Sequence, residues 1–283
     1  MKSIITPSIR YMFFATIFFA TIQAFVKYLS DYSVYQVLFF RSSISALLCI
    51  AYLKNKDLPL IGNNQKLLLL RALFGLIGMA FFFITIQRIP LGAAVSLQYT
   101  SPIFTAIFAI LFLKEHVFPI QWLLFLGAFA GVILLKGFDA RIDLLSLSIG
   151  IIGAISSGLV YVIIRKIGES EHPMVIINYF MMFSAIISGA LMISHWTTPT
   201  LEASIFLILI GTLGYFGQVY LTKALQAEKA SRTIQVKYIE VVFSLIIGLF
   251  WFGESYTMIS FLGIVLILTC MFLNVTYKQK TSE

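Results

Sequence analysis

Residues 97–115 read LQYTSPIFTAIFAILFLKE, and 139 positions later residues 236–254 read VKYIEVVFSLIIGLFWFGE. Both are long apolar runs that open on a tyrosine and close on an acid. Tyr99 falls on Tyr238 and Glu115 on Glu254. The same shift carries outward without a gap: Gly75 and Gly78 meet Gly214 and Gly217, Lys27 meets Lys166, and Gln87 meets Gln226. Identity between the halves stays near what apolar composition alone produces, so the uncommon residues carry the repeat.

Crossing roughly 30 Å of hydrocarbon takes about 20 mostly apolar residues in a helix. Ten runs qualify: 10–29, 33–53, 67–87, 92–113, 119–136, 146–166, 174–194, 202–222, 231–252 and 257–276. The expected fold is therefore an all-α integral membrane protein of ten transmembrane helices. Five spans per copy is an odd number, so the second copy enters from the opposite face. Residues 1–143 and 144–283 thus form a 5+5 inverted repeat about an axis in the membrane plane, which suits alternating access to a shared midplane site.

Composition agrees. Hydrophobic residues make up 60% of the chain and charged residues only 11%, with mean hydropathy +0.96; soluble domains carry about 25% charged residues. The net charge of +8 could suit nucleic acid, but the basic residues lie in short clusters between apolar runs. That pattern implies a lipid bilayer as partner and no nucleic acid. Fourteen basic residues, Lys54, Lys66, Arg71 and Lys223 among them, fall on the side holding both termini; Lys27, Arg88, Lys136 and Arg141 fall on the other. The bias makes both termini cytoplasmic. The first apolar run follows a basic stretch, as in a signal peptide, but no small-residue cleavage site follows and the repeat pairs it with the sixth span. Cys49, Cys270 and the three histidines have no second ligand at metal spacing, so no metal or cofactor is expected.

Polar residues at mid-depth are costly and normally face a cavity or one another. In the ninth span Thr233, Lys237, Glu240 and Ser244 share one helix face, and the shift of 139 sets Ala94, Gln98, Ser101 and Thr105 on the fourth. Lys237 and Glu240 could simply neutralise each other across one turn. A buried pair recovers its desolvation cost poorly, however, which favours a substrate site. Arg41 lies mid-span with Ser45 one turn away, and only Arg41 and Lys237 among the basic residues lie well inside spans. Tyr161, Asn178, Tyr215 and Gln218 are further mid-span polar groups; Gln23 and Lys27 share a face of the first span, Lys27 as an interfacial anchor. Pro102 should bend the fourth span. The glycines three apart, with Gly127 and Gly131, are read as packing surfaces with no part in binding.

The 97–115 segment resembles the fourth-span signature of the drug/metabolite transporter superfamily, in its EamA branch. Residues 237–254 repeat the theme, and Arg41 matches an arginine usual in that family's second span. The resemblance covers almost the whole chain. It implies secondary transport of a small metabolite across a bacterial inner (plasma) membrane, with the site between the halves. It also brings in Tyr99 and Tyr238 as site residues. The order Lys237-Tyr238-Ile239-Glu240 is similar to that of the S-adenosylmethionine uptake members. The expectation is a carrier, not an enzyme, for a zwitterionic, amino-acid-like metabolite. Arg41 and Lys237 would attract a carboxylate, and Glu240 would meet a cationic group or a proton. No GxxxxGK[ST] loop points to ATP, and no HExxH or paired mid-span acids point to intramembrane catalysis. Exchange, proton coupling and facilitated diffusion all fit, as do a monomer and a homodimer.

Overall fold

The computed structural model describes residues 7–114, 118–137, 141–227 and 239–280. Among the described residues all regular structure is helical. The elements are α1 (Pro7–Tyr28), α2 (Val34–Asn55), α3 (Gln65–Arg88), α4 (Leu91–Gln98), α5 (Ser101–Leu113), α6 (Pro119–Gly137), α7 (Leu144–Ile167), α8 (Pro173–Met192), α9 (Leu201–Ala227), α10 (Ile239–Trp251) and α11 (Met258–Lys280). Seven segments are long and apolar enough to cross a membrane, α4 and α5 counting as one, and three shorter apolar helices cover Pro119–Leu134, Glu240–Trp251 and Met258–Cys270. The ninth predicted span is seen only from Ile239 onward. Thr233, Lys237, Tyr238 and Glu115 lie outside the described residues.

The bend expected at Pro102 is a full break. Tyr99 N–H reaches the carbonyls of Val95 and Ser96, Thr100 N–H that of Leu97, and Ile103 N–H that of Thr100. The tight turn ends α4, and α5 starts afresh with Pro102 in its first turn. There the missing N–H would have had no helical partner anyway.

The bundle is inverted in polarity relative to a soluble protein. Leu123, Leu126, Ile133, Ile186, Phe250 and Met258 point outward, whereas Gln23, Arg41, Arg71, Asn178 and Glu240 are buried. An apolar exterior on this scale suits a lipid surround. Hydroxyls such as those of Thr16, Thr85, Ser96 and Ser188 donate to the carbonyl four residues back in their own helix, so they need no outside partner.

Helices of the two halves interleave: α1 packs on α9, α2 on α8 and α9, α3 on α7 and α8, α5 on α7, and α10 on α1 and α4, while α6 and α11 pair to one side. Small residues allow the close crossings. A Cβ at Gly78 would lie 3.4 Å from the Gly153 carbonyl, and one at Gly131 would lie 2.8 Å from that of Gly263. The interval of 139 reappears in three dimensions. Gln87 Nε2 donates to the carbonyls of Leu29 and Tyr32, and Gln226 Nε2 to those of Gly168 and Glu171, each partner 139 residues further on. Lys114 and Gly253, also 139 apart, both take left-handed backbone (φ 54° and 60°) just past α5 and α10.

Candidate functional site

A cavity of about 110 Å³, partly open to the exterior, lies where α1, α2, α3, α7, α8, α9 and α10 meet the break between α4 and α5. Its polar wall is built in two parts.

The first part is an acid held by two donors. Glu240, 2% exposed in the first turn of α10, accepts from Tyr99 OH at 2.8 Å and from the Gln23 amide. Tyr99 is the residue that caps the C-terminal end of α4, at the break. Gln98 lies beside it and donates to Ser157 Oγ at 2.8 Å.

The second part consists of two buried guanidiniums. Arg41 is 3% and Arg71 1% exposed. Arg71 lies over the Phe180 ring at 4.0 Å and donates from Nη2 to Gln218 Oε1 at 3.1 Å. Arg41 lies 5.7 Å from the Phe83 centroid and contacts the thioether of Met79, a weak acceptor. Space for both guanidiniums is made by the repeat-related glycines: a Cβ at Gly75 would fall 2.2 Å from Arg71 Nη1, and one at Gly214 would fall 3.2 Å from Arg41 Nε.

This corrects two sequence expectations. Arg71 is no flanking charge of the membrane surface, because its long side chain runs inward from the first turns of α3. Gly75 and Gly214 serve the site as well as packing. The signal was present in the sequence: Arg71, Gly75 and Gly78 share a helix face, and small residues beside a charge leave room for it.

Of the other predicted residues, Tyr161 and Gln218 line the cavity. Ser101, Tyr215 and Ser244 are not brought there. Ser101 and Thr105 lie against Gly158 of α7, Ser244 Oγ donates to Val241 O in its own helix, and Tyr215 packs against Phe216 and the core near α2 and α8. Of the predicted four-residue stripe on α4–α5, only Gln98 lines the cavity. Thr233, Lys237 and Tyr238 fall outside the described residues.

At the bundle end away from the N-terminus, a cluster ties α1, α4 and α10 together. Glu254 accepts the Leu91 N–H at 2.8 Å and the Tyr256 hydroxyl at 2.6 Å, and lies 3.7 Å from Lys27 Nζ. Lys27 also donates to Ile89 O at 2.7 Å, and Tyr256 OH accepts from Gly92 N–H. Glu254 thus sits at the positive end of α4. Burial and the adjacent carboxylate hold the Tyr256 phenol well above its ordinary range. Lys27 is therefore part of a specific tie rather than a simple interfacial anchor.

The chain is 29% identical to the "Pseudopaline exporter CntI" of Pseudomonas aeruginosa over 86% of its length and 87% of that protein's. It is 24% identical to an "S-adenosylmethionine uptake transporter" of Rickettsia bellii, covering 87% and 84% respectively. A solved crystal structure matches 98% of the chain and 99% of its own at TM-score 0.73 and 14% identity, a likeness of fold alone. The model of the EamA-like transporter family matches twice, over residues 6–136 and 144–276. This multi-pass membrane protein belongs to the EamA-like transporter family.

Proposed function

We propose that the chain is a secondary carrier that moves a small organic, amino-acid-like metabolite across a bacterial inner membrane by alternating access. The observation that carries this reading is the central cavity, whose buried Arg41, Arg71 and Glu240 come from both halves of the chain. Charges at that depth are costly in a purely structural bundle and are useful in a substrate site. The architecture is ten spans in a 5+5 inverted repeat, with halves at 1–143 and 144–283 and both termini in the cytoplasm. Seven long apolar segments with three shorter ones, and hydrogen bonds repeated at an interval of 139 residues, support it. Arg41 and Arg71 receive the acidic end of the substrate; Glu240, oriented by Tyr99 and Gln23, meets its cationic group. The chain itself supplies no nucleotide-driven step, so substrate or ion gradients drive the cycle.

A second reading, S-adenosylmethionine uptake or exchange, is favoured by the named Rickettsia relative and by the Lys237-Tyr-Ile-Glu order. Counterflow in proteoliposomes tests the carrier. Wild-type protein should exchange internal for external substrate, and Glu240→Gln should lose at least about tenfold in rate, the scale of one lost charge-assisted contact. Wild-type rates in Glu240→Gln would remove the cavity from the transport path.

A further inference from the structure

Among the described residues, the two guanidiniums in the cavity have no acid of their own. Arg71 Nε and Nη1 and Arg41 Nε have no hydrogen-bond partner among the described residues. What the pair does touch is one amide oxygen, one thioether and two aromatic faces. Glu240 is the one described carboxylate on the cavity wall, and Tyr99 and Gln23 already hold it. The described wall therefore carries two cations and one anion. A substrate with two carboxylates would give each guanidinium an acid.

We propose that the cavity selects an amino dicarboxylate: two carboxylates, one for each guanidinium, and one ammonium for Glu240. The inference rests on reading the cavity as the carrier's site. Each guanidinium carbon lies near an aromatic ring, Arg71 4.0 Å from Phe180 and Arg41 5.7 Å from Phe83, and a planar, two-oxygen carboxylate is the acceptor that arginine recognises best. Gly75 and Gly214 keep both forks within the same cavity; with side chains there, the guanidiniums would have to move. A simple zwitterion leaves one guanidinium unmatched, and a substrate of net positive charge leaves both.

The test is thermal stabilisation of the detergent-purified full chain at fixed ionic strength. The probes are L-aspartate, L-glutamate and L-2-aminoadipate, compared with L-asparagine, L-glutamine, S-adenosylmethionine and potassium phosphate. At least one acid should bind about tenfold or more tighter than the amides, the scale of a charge-assisted hydrogen-bond pair. Arg71→Gln should cut that preference below about threefold, with Arg71→Lys retaining part of it through its charge. Amides equal to acids, preference for S-adenosylmethionine or phosphate, or an undiminished preference in Arg71→Gln would overturn the assignment. Binding of amides or S-adenosylmethionine without the acids sinks the charge assignment and leaves the carrier standing; no stabilisation by any probe counts against both. The wild-type comparison decides even if Arg71→Gln fails to fold.

Discussion

Arg71 stands five residues into an apolar run, where sequence reasoning takes a basic side chain for a surface anchor. What decides its place is its surroundings: Gly75 one turn on, with no side chain to block the guanidinium, and Phe180 offering a ring face from α8. The site is therefore written in small residues as much as in charged ones. Gly75→Ala puts a methyl group 2.2 Å from Arg71 Nη1 and 2.9 Å from the Phe180 ring. It should destabilise the protein by about 1–3 kcal/mol, as overpacking does, and weaken substrate binding. Gly214→Ala, with 3.2 Å to Arg41 Nε, should cost less. Heat denaturation in detergent beside counterflow rates checks both. Tyr99→Phe removes one of two described donors to Glu240 and should slow transport by roughly 5- to 30-fold, on the scale of about 1–2 kcal/mol for a buried partner lost.

Most helices could be read directly from apolar length, and α1 to α3 and α7 to α9 lie close to the predicted spans. The fourth differs for a local reason. Apolar length does not register a turn inside a run, and a proline in a membrane helix can bend it or restart it. Here the i→i+3 bonds around Tyr99 and Thr100 restart it. Past that turn, Ser101 and Thr105 lie with their backbone against Gly158 of α7 rather than on the cavity wall. Glu254 was legible only as a repeat marker and Lys27 as a marker and an interfacial anchor, since the bond of Glu254 to the N-terminal N–H of α4 depends on the packing of α10 beside it. Glu254→Ala leaves that N–H without its acceptor and Lys27 without its carboxylate. It should loosen this end of the bundle and speed labelling of a cavity cysteine from that face. The N-cap of α7 gives a pH prediction. Asp143 accepts from the Ser146 N–H at 2.6 Å, and that bond, with the Ser146 hydroxyl and Arg88, holds its carboxyl below its ordinary range. Its contribution is present above the ordinary carboxylate range and fades as pH falls through the lowered value. Asp143→Ala should accordingly cost stability at neutral pH, and the gap from wild type should close in acid.

At the scale of the whole molecule, the interval of 139 residues ties sequence to shape. Identity between the halves is low because lipid-facing positions accept almost any apolar side chain. The glutamines that tie helix ends and the glycines that admit the arginines have fewer substitutes. The proposed inverted repeat predicts the topology: Lys54→Cys and Lys280→Cys should both react with an impermeant maleimide only from the cytoplasmic side in inside-out and right-side-out vesicles. Interleaved packing of α1 on α9 and α2 on α8 gives such halves a shared wall to rock against. The central claim is that this wall encloses a site reached from each face in turn. Ser157 lines the cavity and offers a position for a single reporter cysteine once Cys49 and Cys270 are replaced. In oriented proteoliposomes, Ser157→Cys should react with impermeant maleimide from either face, with added substrate slowing or redistributing the reaction between them. Labelling from one face alone, indifferent to substrate, would contradict the account.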